Sequence, residues 1–365
     1  MKKALSKRQA IILFACLIIS FKLQRLPAFF SQDFGRDCYI AVAVIFLIDF
    51  LLLLLMCAVY KKLGDKTVFE YIKENTNKFV LVLFCIFTIL FFASKSVIGY
   101  KQLHEFFANT LFNNLPWNYF GILFVFLLVL LIGNGLNNIA RSAELYSYVM
   151  LFSVLAIVVL GVTVADYSRL LPVLDIDIPS KFLKIFDYAG WFLDSVLILF
   201  FAGNVKDDKK SVKPFIWTYI ISAVFVIIGI MTFYAINEHM GGLQNNGLSS
   251  MTEYTLIGLG IGRPDWFLVL FVNMASILIT AMLLWFATTS LATIINKRVN
   301  FWLAFIVTIA LYAWDWVIYQ NLELGFVIAT QYINWFMLAF AGITPIFILL
   351  IKKKPAKQSE VAGDE

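Results

Sequence analysis

Runs of about twenty apolar residues alternate along the chain with short polar stretches. That length is what an α-helix needs to cross the hydrocarbon core of a bilayer. Ten such runs are present, at about 9–30, 38–60, 79–99, 117–136, 143–164, 185–204, 213–236, 264–290, 300–319 and 327–351. The pattern predicts an all-α integral membrane protein with a single transmembrane domain over residues 1–351. A basic, polar tail follows over 352–365.

The first run is interrupted by Ser20-Phe21-Lys22-Leu23-Gln24-Arg25-Leu26-Pro27. A charge at mid-bilayer costs at least ~2.5 kcal/mol on the mildest scale. Pro27 removes a helical hydrogen bond and disfavours helical geometry at Leu26. Irregular backbone at that depth survives only against protein or a wet cavity. The segment is therefore expected to be a broken helix lining a polar site, with Ser20, Lys22, Gln24 and Arg25 as candidate ligand-binding residues. The alternative is a bent helix whose two cations reach outward or pair with a structural acid.

A second interruption stands at Asp187-Tyr-Ala-Gly190-Trp-Phe-Leu-Asp194 in the sixth run. Asp194 is about seven residues from the outer face, roughly 10 Å at 1.5 Å per residue. Gly190 frees the backbone to break there, and both residues join the candidate ligand set. Broken first and sixth helices are the mark of a 5+5 inverted repeat, in which freed backbone holds substrate near the midplane. Asp49, central in the second run, lies at the depth of Lys22 and is its candidate partner. Asp49 and Asp194 are also candidate proton groups. Lys95 is an ion-pair candidate, although it stands near enough to the outer boundary to snorkel. Asn273, Ser276 and Thr280 share one face of the eighth run, as a polar lining or as helix-packing glue.

Charge orients the spans. With the N-terminus in the cytoplasm, the loops on that side hold 20 of the 29 Lys and Arg residues, the outer loops hold 6, and Lys22, Arg25 and Lys95 lie within the membrane. The positive-inside rule then puts both termini in the cytoplasm. The basic start, Lys2 to Arg8, precedes an apolar run as in a signal peptide. No small-residue cleavage site follows, so a retained first helix is expected.

Composition agrees: the chain is 61% hydrophobic and only 14% charged, against about 25% charged in soluble domains. The net charge of +6 sits in short loops and does not suggest nucleic acid. Cys16, Cys38, Cys57 and Cys85 lack CxxC pairing and read as small buried hydrophobes. The outer loop Gly99 to Pro116 carries His104, and the longest loop, Asn237 to Pro264, carries His239 and the glycines Gly258, Gly260 and Gly262. No strand precedes that glycine run and no Lys-Ser/Thr follows it, so it is not a phosphate loop. The isolated histidines offer no metal centre. No nucleophile–base pair is visible either, and the chain is not expected to be an enzyme or to carry a cofactor. Thr67-Val-Phe-Glu-Tyr-Ile-Lys73 reads as a short helix along the cytoplasmic surface, and tryptophans such as Trp314 and Trp316, around Asp315, mark interfaces.

Several motifs together resemble the B subunits of bacterial spore germinant receptors, the spore-permease branch of the amino acid–polyamine–organocation superfamily. They are Leu5-Ser-Lys-Arg-Gln9, Leu26-Pro27, Gly35-Arg-Asp37, Lys66-Thr-Val-Phe-Glu-Tyr71, Ala140-Arg-Ser-Ala-Glu144, Asp194 with Val205-Lys-Asp-Asp-Lys-Lys210, and Arg263-Pro-Asp-Trp266. The resemblance implies a LeuT-like fold and a small, amino-acid-like nutrient as ligand. It also implies the inner membrane of a Gram-positive spore, or its cell membrane, as the location. A larger membrane subunit and a lipoprotein are the implied partners. A true amino acid permease, with or without proton coupling, would use the same scaffold. One departure stands out: the family has glycines in the first break, where this chain has Ser20, Phe21 and Lys22. Lys22 or Arg25 would then take over the ligand's carboxylate, or Lys22 would stand in place of a coupling cation.

Overall fold

The computed structural model describes residues 5–107, 117–174, 178–206, 211–244, 246–257, 265–320 and 332–352. The glycine run 258–262, residues 207–210, Arg263 and Pro264 of the Arg263–Trp266 motif, and the tail beyond 352 lie outside them. The described chain is almost entirely helical. Five helical stretches are long and apolar enough to cross a membrane: Leu26–Leu63, Lys78–His104, Leu136–Val164, Lys213–Asn237 and Leu268–Ile295. Gly121–Gly133, Phe301–Trp316 and Asn334–Leu350 are shorter apolar helices.

The first segment is two helices, α1 (Lys7–Lys22) and α2 (Leu26–Phe34), separated at residues 23–25. A capping box starts α1: the Ser6 side chain accepts from the Gln9 backbone, and the Gln9 side chain returns to Ser6 N. Pro27 stands in the first turn of α2, where its missing N–H costs nothing. One proline thus ends one helix and begins the next. Gly35, at φ 54°, then reverses the chain, and α3 (Cys38–Leu63) packs back against α2.

A short α4 (Val68–Asn75) follows, with its own Thr67/Glu70 capping box. It buries Val68, Phe69, Tyr71 and Ile72, so one face packs into the bundle. Next come α5 (Lys78–Phe106), α6 (Trp117–Gly133) and α7 (Leu136–Val164). α5 is longer than its apolar run suggested. His104, expected in a loop, is a buried residue of its last turn. The helix continues because Leu103 and Phe106 still find apolar neighbours to bury against.

The sixth segment begins with α8 (Ile178–Ile185) and a 3-10 turn, Phe186–Trp191. It unwinds at Phe192–Ser195 and resumes as the six-residue α9 (Val196–Phe201). The remaining helices are α10 (Lys213–Asn237), α11 (Gly247–Ile257), α12 (Asp265–Ile295), α13 (Phe301–Gln320) and α14 (Asn334–Leu350). α12 lies along α5 and α7, and α1 is enclosed by α7, α10 and α12. Cys16, Cys38, Cys57 and Cys85 are free and buried.

Two sets of contacts define the ends of the bundle. At one end β1 (Leu5–Ser6) pairs in parallel with β2 (Val205–Lys206), so the start of the first segment meets the exit of the sixth. The Gly203 turn presses on the Thr67 backbone, and Lys62 donates to Ile348 O, Leu349 O and Ile351 O at 3.0, 2.7 and 2.8 Å. At the other end Arg36 donates to Leu171 O (2.8 Å), Leu174 N to Asp37 (2.9 Å) and Arg169 to Ile236 O (2.9 Å). Lys184 and Tyr188 both reach Asp33 there.

Candidate ligand site

The two interruptions face each other across a cluster of buried charges. Lys22 is the last residue of α1 and is fully buried. Its Nζ donates to Asp194 Oδ2 and lies 5.2 and 5.6 Å from the ring centres of Phe192 and Phe46. A cation over an aromatic face is attracted by the ring quadrupole. Lys95 Nζ lies 2.8 Å from Asp194 Oδ1, 3.3 Å from Gly190 O, and donates also to Phe192 O. An ammonium has three protons, and the unwound stretch offers Lys95 three oxygens.

These positions correct two expectations. Lys22 is paired with Asp194, not Asp49. Asp49 accepts instead from Ser195 Oγ (2.5 Å) and Tyr219 OH (3.0 Å). Lys95 does not snorkel: it is 1% exposed and turns inward. Both follow from desolvation, because an ammonium left in hydrocarbon costs far more than a bent side chain.

The second break also differs from expectation in its cause. Gly190 is the tail of the 3-10 turn, and the left-handed residue is Leu193, at φ 59°. A branched residue there is strained, and such strain persists only where the surroundings over-determine it. Here Lys95 fixes the carbonyls and carboxylate on either side. Gly190 serves close approach: its N–H donates to Asn334 Oδ1 (3.0 Å), and a Cβ on it would stand 2.4 Å from that oxygen.

At the first break, freed backbone is taken up by neighbouring helices. Gln102 Nε2 donates to Phe21 O (2.8 Å), and Gly247 N donates to Gln24 O. Gln24 Nε2 donates to Ser276 Oγ (3.0 Å). Asn273, Ser276 and Thr280 each bond to the carbonyl four residues earlier, at 2.9, 3.2 and 2.8 Å. Ser20 does the same, donating to Cys16 O (2.7 Å), so its hydroxyl is spent within α1. Arg25 is half-buried with its guanidinium 4.9 Å from the Phe29 ring centre. Three amide oxygens nearby, Gln24 Oε1, Gln102 Oε1 and Asn273 Oδ1, are buried with no hydrogen-bond partner. For Gln102 and Asn273 the amide orientation is set, because each NH2 already donates to a carbonyl.

Gln102, Ser195 and Tyr219 had not stood out in the sequence. Gln102 fell in a supposed loop, and the i, i+3, i+7 spacing of Tyr100, Leu103 and Phe107 was the available sign that the helix continues. Among the described residues no group of three or more His, Cys, Asp or Glu is arranged to hold a metal ion.

Two mutant forms of the Eremococcus coleocola manganese transporter, known from crystal structures, are similar in fold. Both are 18% identical, with TM-scores of 0.59 and 0.56, over 93% of this chain and 78% of theirs. No curated protein sequence matches the chain. The model of the family described as spore germination protein, a spore permease family, matches residues 4–322. A match over that much of the chain, on an all-helical transporter-like scaffold with apolar spans, makes this chain a membrane protein of the spore germination permease family.

Proposed function

We propose that this protein is the membrane subunit of a spore germinant receptor, sensing a small amino-acid-like nutrient at the first break. The observation that carries the reading is the trio of unpaired amide oxygens, Gln24 Oε1, Gln102 Oε1 and Asn273 Oδ1. A buried acceptor without a donor costs about 1–3 kcal/mol, and acceptors around unwound backbone are recovered when a donor arrives. An α-ammonium group supplies three donors. Arg25, at the mouth of the break, takes the carboxylate. Ten spans in two inverted halves, with both ends cytoplasmic, provide the frame. Lys22, Asp194, Lys95 and Asp49 act in this reading as the fixed charge that holds the breaks. Ligand shifts the bundle because it binds one arrangement better than the other. The signal then passes to a larger membrane subunit and a lipoprotein in the spore inner membrane.

The test is binding and uptake with full-length protein in liposomes, using labelled amino acids with and without a pH gradient. Saturable binding without net uptake is expected, and Gln102→Leu should lower affinity at least about tenfold. Accumulation inside the vesicles would instead establish an amino acid permease, and accumulation driven by the pH gradient a proton-coupled one. No binding of any amino acid would end the ligand assignment.

A further inference from the structure

The unwound stretch of segment six treats the Lys95 ammonium as a bound metal cation would be treated. Three oxygens from five consecutive residues converge on it: Gly190 O at 3.3 Å, Phe192 O, and Asp194 Oδ1 at 2.8 Å. Carbonyls freed at the C-terminal end of a half-helix, with a carboxylate beside them, are the donor set by which broken transporter helices coordinate alkali cations. The carboxylate's other oxygen is held by Lys22 from the opposing break. Asp49, hydrogen-bonded through Ser195 to the same stretch, brings the formal count to two ammoniums and two carboxylates. The formal charges already cancel without an ion from solution.

We infer that Lys95 is a tethered replacement for a coupling cation, so that this protein keeps its breaks assembled without binding sodium or potassium. The inference rests on the proposed reading of Lys22, Asp194, Lys95 and Asp49 as the fixed charge that holds the breaks, and it concerns that cluster and not the nutrient. It also has a physical consequence for operation. A diffusible ion can enter and leave with each cycle, whereas a lysine on α5 cannot. The cluster therefore cannot draw on a sodium gradient, which suits a sensor better than a pump.

The experiment is thermal unfolding of the full-length protein in detergent, followed by tryptophan fluorescence. Sodium, potassium or N-methyl-glucamine chloride is supplied at matched ionic strength, and no nutrient is present. The wild-type melting temperature should be the same in all three salts. Lys95→Ala vacates the three oxygens. Its melting temperature should fall in N-methyl-glucamine and recover by about 3 °C or more in a saturable way with sodium or potassium. Lys95→Met fills the same space with an apolar chain and should show no recovery. A wild-type protein stabilised by either alkali cation overturns the inference, and so does a Lys95→Ala protein indifferent to all three salts. Failure of Lys95→Ala to fold in cells would also count against it, because intracellular potassium should have occupied the vacancy. Loss of nutrient binding would sink the ligand reading and leave these melting curves untouched.

Discussion

Asp194 carries two ammonium groups on one carboxylate, in a place where water cannot share the load. A buried ion pair adds little net stability, but removing one partner leaves the other charge stranded. Asp194→Asn should therefore lower stability by about 3–5 kcal/mol. Adding Lys22→Met to it should return part of that loss, since one stranded ammonium is gone. Unfolding of the single and double mutants in detergent measures both. Equal stability of the two would mean that Lys22 is neutral where it sits. Gln102 has a different kind of importance: one end of its amide closes the carbonyl at the foot of α1, while the other faces the break unpaired.

Helix ends decide the architecture here more than helix interiors do. The last carbonyls of α14 have no partner within the helix, and Lys62 supplies its three ammonium protons to Ile348 O, Leu349 O and the capping Ile351 O. A cation at a helix C-terminus is also favoured by the helix dipole. Lys62→Met should lower stability by about 1–2 kcal/mol. Amide hydrogen exchange should rise in the final turn of α14 and not in α12. Uniform change across the molecule would show that the cap is not local. Gly203 closes the exit of segment six at φ 73°, with a Cβ position 2.4 Å from Thr67 N. Gly203→Ala combines left-handed strain with a backbone clash, and a loss of about 1–3 kcal/mol is expected in the melting curve.

At the scale of the whole molecule, each end of the bundle is bound together by contacts between distant segments. The Leu5–Ser6 strand, the Gly203 turn, the Thr67 cap and the end of α14 lie at one end; Asp33, Arg36, Arg169 and Lys184 lie at the other. The excess of lysine and arginine near the first set is what the positive-inside rule expects of a cytoplasmic end, and the proposed orientation puts that end there. Single cysteines at Lys66 and Lys206 should resist a membrane-impermeant thiol reagent until cells are permeabilised. A cysteine at Lys181 should react at once. The four native cysteines are buried and should contribute little background. Labelling of Lys66→Cys and Lys206→Cys from opposite sides would break the proposed arrangement.

The order of apolar runs, the basic bias of alternate loops and the charged interruption before Pro27 are properties of the chain read residue by residue. They were enough for an all-helical membrane protein with a first segment broken near Lys22, while the germination-permease relationship came from the resemblance of short motifs such as Leu5-Ser-Lys-Arg-Gln9 and Ala140-Arg-Ser-Ala-Glu144. Hydrophobic length and proline chemistry act locally, so they are written locally. What Lys22 and Lys95 do is not local. Depth alone made Asp49 the candidate partner of Lys22, and only the packing of α3 against α10 and the unwound stretch before α9 gave Asp49 to two hydroxyls and left Lys22 to Asp194. Gly190 looked like a hinge because glycine permits one; the fold instead used its missing side chain to admit Asn334, and strained Leu193. Gln102 could not be placed until α5 was seen to run on to Phe106. Each of these choices is a competition among groups far apart in sequence for the same few buried partners, and desolvation settles it only once the chain has brought them together.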